Sequence, residues 1–182
     1  MLRYFLIFFL FISTSISNAE IKNKIIQNLK DTKNLDFKFE QNINGKIENG
    51  NCTIQYPKKI FCEYARSNNK ILVSNGKSLV IKTRTSYYLY PLKKTHLNLI
   101  LDKNYLINKI YNLEERVIDE SLINYKINEN GNEISIFFDN QSFNLIGWQT
   151  KDVYQNLNIT FLSSVKKNEP INKSLFKLPL QN

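Results

Sequence analysis

Histidine occurs once in these 182 residues, as His96, and cysteine twice, as Cys52 and Cys62. So few ligands leave no His-rich or Cys-based zinc site to build and no haem-attachment motif, and neither a metal nor another cofactor is expected. Glycine is scarce as well, with five in the whole chain. There is no Gly-rich phosphate loop, and Ser74-Asn75-Gly76-Lys77, which holds a Gly-Lys pair without the preceding glycine and spacer, reads as a turn. No Gly-x-Ser-x-Gly elbow is present, and the lone imidazole sits in the apolar stretch Thr95-His96-Leu97, so a hydrolase triad has no support. The carboxylate pairs Glu114-Glu115 and Asp119-Glu120 contain both halves of an acid–base couple, but such blocks of charge are usually solvated faces. The chain reads as a non-enzyme.

Four prolines and five glycines also supply no linker, and no internal repeat stands out, which argues for one domain. What is abundant is basic charge and aromatic side chains. Lys and Arg number 25 against 16 acidic residues, giving +9, and 13% of residues are aromatic, a composition that suits β structure. The basic doublets Lys58-Lys59, Lys93-Lys94 and Lys166-Lys167 are scattered and form no stripe, so nucleic acid is not the expected partner. Transient contact with an anionic membrane surface fits this charge better.

Met1-Leu2-Arg3 precedes an apolar run from Tyr4 to Ile12, followed by the small and polar residues Ser13 to Ala19. The run matches the ~7 to 15 residues of a signal-peptide core and falls short of the about 20 that span a bilayer. Ser17 and Ala19 provide the small side chains that precede a cleavage site, so residues 1–19 read as a cleaved signal peptide and 20–182 as the exported, periplasmic domain. An uncleaved N-terminal anchor is the alternative. No cysteine follows the apolar run, which excludes lipid attachment at a new N-terminal cysteine.

In an oxidising compartment cysteines pair where geometry permits. Cys52 and Cys62 lie five residues to either side of Pro57, so a hairpin turning at Tyr56 to Lys59 sets them opposite each other on one face. A cross-strand disulfide is the natural reading, and two buried free thiols the other.

Ile21, Ile25, Ile26 and Leu29 make one apolar stripe on a helix over 20–34. Leu35, Phe37 and Phe39 then alternate with Asp36, Lys38 and Glu40, the pattern of a strand with one wet face, and Asn44-Gly45 turns it into a hairpin. Strands follow near 71–73, 79–81, 87–90, 111–119, 122–127, 133–139, 143–149 and 156–162, separated by Asn-rich turns. His96 to Asp102 breaks the alternation with Leu97, Leu99, Ile100 and Leu101 and predicts a short helix seated on an apolar surface. The expected architecture is α+β: a large, curved, open antiparallel sheet of about 10–11 strands, a half-barrel whose concave face is covered by an N-terminal helix and a short central lid helix.

The inward candidates on that sheet are Phe37, Phe39, Ile54, Tyr56, Ile60, Leu79, Ile81, Phe137, Trp148 and Phe161, with Ile25, Leu29, Leu97, Leu99 and Ile100 as the lid. A half-barrel so lined would enclose an apolar cavity suited to acyl chains, while a filled core would carry the same stripe.

Four stretches, in order, carry a family resemblance: Phe37-x-Phe39-x-Gln41, Gly50 with Pro57 seven residues on and then Ile60, Ile71-Leu-Val-Ser-Asn-Gly76-Lys77, and Leu175-Phe176-x-Leu178-Pro179. From about Leu35 to Pro179 the chain resembles the periplasmic outer-membrane lipoprotein carrier family, the LolA-like proteins. The resemblance implies a monomeric carrier that takes acylated outer-membrane lipoproteins from an inner-membrane ABC-type exporter and hands them to an outer-membrane receptor. A periplasmic lipid- or protein-binding sensor or envelope module on the same scaffold is the alternative. Family members hold the closed lid with an Arg immediately before the hairpin proline, where this chain has Tyr56, and the hydroxyl of Tyr56 is the candidate to bond a lid carbonyl instead. The segment Thr95 to Leu101 also departs from the family in lacking a proline and an aromatic residue.

Overall fold

The computed structural model describes residues 18–65, 67–118, 121–129, 131–151 and 155–181. The Asp119-Glu120 pair, Asn130 and residues 1–17 of the signal-peptide reading lie outside them.

Helix α1, Asn18–Asp31, buries Ile21, Ile25, Ile26 and Leu29, the four residues of its apolar stripe. Eleven strands follow: β1 Asn34–Ile43, β2 Lys46–Gln55, β3 Lys59–Tyr64, β4 Ile71–Asn75, β5 Ser78–Lys82, β6 Tyr87–Pro91, β7 Arg116–Ile118, β8 Leu122–Glu129, β9 Asn132–Asp139, β10 Leu145–Lys151 and β11 Leu157–Lys167. All belong to one open antiparallel sheet in the order β6-β5-β4-β3-β2-β1-β11-β10-β9-β8-β7. Neighbouring strands are joined by hairpins except at the centre, where the first and last strands pair, Leu35 opposite Lys167 and Ile43 opposite Asn158.

Between β6 and β7 the chain crosses the concave face as two helices, α2 Leu97–Ile100 and α3 Lys103–Asn112. Only the first follows from the apolar run after His96. The sequence pattern predicts a strand over 111–119, yet α3 runs through Tyr111, because Asp102 accepts a hydrogen bond from the Tyr105 amide as its N-cap and Leu106 and Ile110, one turn apart, are buried on one face. The strand there shortens to Arg116–Ile118. Phe143 lies outside β10, with φ at 56° and its amide bonded to the Asp139 carbonyl, so the last hairpin before β11 starts later than its apolar pattern implies.

The concave face carries the main core: Leu35, Phe37 and Phe39 of β1, Ile54 of β2, Ile123 and Tyr125 of β8, and Ile134, Ile136 and Phe138 of β9. A smaller set, Val73 and Val80, is buried outside that cluster, and the C-terminal 3-10 turn Lys173–Phe176, with Phe176 buried, packs on β3 and β4.

Candidate functional site

Cys52 and Cys62 stand directly opposite each other in β2 and β3 and are joined by a disulfide, as the symmetric spacing about Pro57 implied. The bridge forms part of the wall of a cavity of about 260 Å³ between the concave sheet and α2. Its sheet side includes Phe39, Ile60, Leu72, Leu79, Ile81 and Trp148, and its roof includes Thr95, His96, Leu97 and Ile100. The period-two register explains the grouping, since Cys52, Cys62, Leu72 and Ile81 are successive cross-strand partners on one face.

Not every inward candidate reaches this space. Phe37 and Ile54 are buried on the same face, 2% and 0% exposed, but belong to the packed core and not to the cavity wall. Ile25 and Leu29 are likewise core, and Leu99 is a partly buried residue packed against it. Phe137 and Phe161 are corrections: they stack on each other at 5.8 Å beside Gly147, on the convex face. Their neighbours Ile136, Phe138 and Thr160 point the other way, so alternation sends Phe161 outward, where it is 47% exposed. Tyr56 is a third correction, because it borders a separate crevice with Leu29, Thr32, Leu35 and Leu145. Its hydroxyl is shielded from solvent without a hydrogen-bond partner among the described residues, and burial pushes its pKa up.

The C-terminal end of α2 is held two residues further along the same turn. The Lys58 amide donates to the Leu101 carbonyl at 2.9 Å, and Lys58 Nζ lies 3.1 Å from Asp102 Oδ2. Asp102 caps α3 through its other oxygen, so one carboxylate ties the turn to both the lid and the helix after it. On the other side, Lys103 Nζ donates to the carbonyls of Lys30 and Thr32, both at 2.9 Å, and Lys22 Nζ to that of Leu113 at 2.7 Å, stapling α3 to α1 from both ends.

At the opposite end of β2 the cavity turns polar. Gln41 Nε2 donates to Asn158 Oδ1 at 3.0 Å and Thr160 Oγ1 at 3.2 Å, and Tyr64 donates to Gln41 Oε1 at 3.3 Å. Lys70 Nζ sits 4.0 Å above the Tyr64 ring and donates to Glu48, which also pairs with Lys46. Burial of Glu48 pushes its carboxyl up, but the hydrogen bonds and charges of Lys70 and Lys46 outweigh this and hold it below its ordinary value. Lys70 and Ile81 also border an open groove of about 870 Å³ that includes Lys46, Asn49, Tyr88 and Tyr90, so the cavity and the groove adjoin. Sequence reading missed this polar rim, although Gln41 extends the inward register of Leu35, Phe37 and Phe39 with a polar residue.

The family model for the outer membrane lipoprotein carrier protein LolA matches residues 30–179. The chain belongs to this family. Among solved structures, an uncharacterized conserved protein from Thermus thermophilus aligns over 88% of this chain and 93% of its own, with TM-score 0.52 and 8% identity. A LolA superfamily protein from Nitrosomonas europaea aligns over 90% of this chain and 99% of its own, with TM-score 0.46 and 7% identity. LprF from Mycobacterium bovis aligns over 87% and 97%, with TM-score 0.45 and 12% identity. No curated protein matches the sequence. In this LolA-family chain the contacts to the end of α2 come from Lys58, while Tyr56 packs under α1.

Proposed function

We propose that this protein is a periplasmic carrier that shelters the acyl chains of outer-membrane lipoproteins and shuttles them from the inner to the outer membrane. The observation that carries the reading is the cavity between the sheet and α2, which Phe39, Ile60, Leu72, Leu79, Ile81 and Trp148 line and beside which the Lys58 turn is bonded to the end of α2. Membership of the LolA family supports it. The physical need is plain, because each buried methylene is worth about 0.8 kcal/mol and an acylated protein does not cross water unshielded. The partners on this reading are an ABC-type exporter and an outer-membrane receptor, and no catalytic step is required.

The cavity volume favours a second reading. At about 260 Å³ it lies below the roughly 300–1,000 Å³ of ordinary ligand pockets, so it suits one chain, as in an envelope lipid-binding module that does not shuttle. Adding the purified protein to spheroplasts that make an outer-membrane-destined lipoprotein, with a Leu97→Ala/Ile100→Ala variant as control, separates the two. Soluble cargo co-eluting with the protein and lost in the variant establishes the carrier. Absence of release with the exporter present leaves the binding module.

A further inference from the structure

We propose that the polar mouth of the cavity is a subsite for the uncharged ester or amide carbonyl through which a fatty acyl chain is attached, with Thr160 and Asn158 as its donors. The inference rests on the acyl-chain reading of the cavity and adds to it a polar recognition element.

Two features set this mouth apart from a gap in the packing. First, its hydrogen-bonding groups are oriented by one another. Gln41 gives both of its amide protons, one to Asn158 Oδ1 and one to Thr160 Oγ1. Having accepted there, the Thr160 hydroxyl keeps its own proton to donate and Asn158 keeps its amide N–H groups. Both residues border the cavity, and Thr160 is 3% exposed, so a carbonyl oxygen brought to it replaces little competing water. Second, the lysine that borders the cavity is already engaged, since Lys70 Nζ sits over the Tyr64 ring and donates to Glu48. Lys70 and Lys46 both pair with Glu48, whose side chain is 6% exposed. An anion at this rim would have to compete with that buried carboxylate for Lys70, whereas a neutral carbonyl takes its hydrogen bonds from Thr160 and Asn158 and displaces no ion pair.

The dimensions agree with a single chain. At ~30 Å³ for each water-sized group, 260 Å³ holds about nine such groups, the bulk of one medium-length acyl tail. With its carbonyl at Thr160, the tail lies against Ile60, Leu72 and Trp148, and whatever it is attached to leaves by the groove beyond Lys70.

The test is calorimetric titration of the purified protein with three probes of equal chain length: monolauroylglycerol, dodecyl glyceryl ether, and dodecyl phosphate. The ester and ether differ essentially in the carbonyl. The ester should bind about tenfold more tightly than the ether, as one well-made hydrogen bond in a shielded site allows. Thr160→Val should abolish that preference, and Thr160→Ser should keep it. Equal affinity for ester and ether overturns the subsite and leaves the acyl cavity standing. Tighter binding of dodecyl phosphate than of the ester also overturns it, in favour of an anion site. Binding of none of the three overturns the acyl-chain reading itself. The comparison of probes on the unaltered protein decides the matter even if the Thr160 variants do not fold.

Discussion

Lys58 Nζ lies 3.1 Å from Asp102 Oδ2, and the amide of the same lysine donates to the carbonyl of the preceding residue, Leu101. The turn of the disulfide-bridged hairpin thus holds the end of α2 by one contact that depends on a side chain and one that does not.

Separating the two contacts is straightforward. Lys58→Met removes the ion pair and keeps the amide bond, and because both side chains are about one-third exposed the loss of stability should stay within about 1 kcal/mol. Hydrogen exchange at 97–102 should quicken clearly more than exchange elsewhere. Asp102→Ala should cost more, about 0.5–2 kcal/mol beyond the ion pair, because it also removes the cap of α3, whereas Asp102→Asn keeps the cap. Denaturant titration of the three variants checks the order.

Tyr56 offers a test of the latch from the other direction. Its hydroxyl is shielded and unpaired among the described residues, so Tyr56→Phe should be neutral or stabilising. Exchange at the lid should not change. A loss of more than about 1 kcal/mol would show that the hydroxyl has a partner after all.

Glu48 makes the stability depend on acid. Its pKa is lowered on folding from an ordinary value of 4.5, so its contribution is fully present above that value and is lost as pH falls through the lower, folded value. Glu48→Gln should flatten the fall in melting temperature on that acid side and leave the curve at neutral pH the same shape. A thermal scan series from neutral pH down through the acid side measures both.

The two faces of the sheet should separate cleanly under mutation. Phe161→Ala removes a half-exposed ring from the convex face and should leave binding of an acyl probe unchanged, whereas Trp148→Ala alters the cavity wall and should weaken it several-fold. Gly147→Ala should destabilise by about 1–3 kcal/mol, because a Cβ there would lie 2.5 Å from the Thr160 carbonyl oxygen and 3.2 Å from the Phe161 ring. Equilibrium unfolding and probe titration report the two effects independently.

These residues also show where sequence patterns stop. Alternation in Leu35 to Glu40 named the buried face of β1 correctly because its other face is charged. In β9 the run Ile134, Ile136, Phe137 and Phe138 is apolar on both faces, so nothing in the pattern tells Phe137 from Phe138. Helix α3 was legible in principle, from Asp102 as a cap and Leu106 and Ile110 four apart, but its Asn-rich surface hid the period. Of the contact to α2, the turn was legible from the family resemblance but the residue was not. The contact's position depends on which residue of the Tyr56–Lys59 turn meets Leu101, and that is set by packing between elements more than forty residues apart.

The sheet's central seam carries a consequence for how the chain matures. Every other strand pair joins neighbours in strand order, but β1 and β11 bring position 35 beside position 167. Pairings so distant in sequence are slow to form, because the intervening loop must close first. The six strands before α2 and the four before β11 can therefore assemble as two separate arrays, and the seam that unites them must wait for nearly the whole polypeptide to emerge. Until then each half exposes the edge strand that the other will cover. A protein of this topology is at its most vulnerable to proteases and to mispairing in the last moments of its synthesis and delivery.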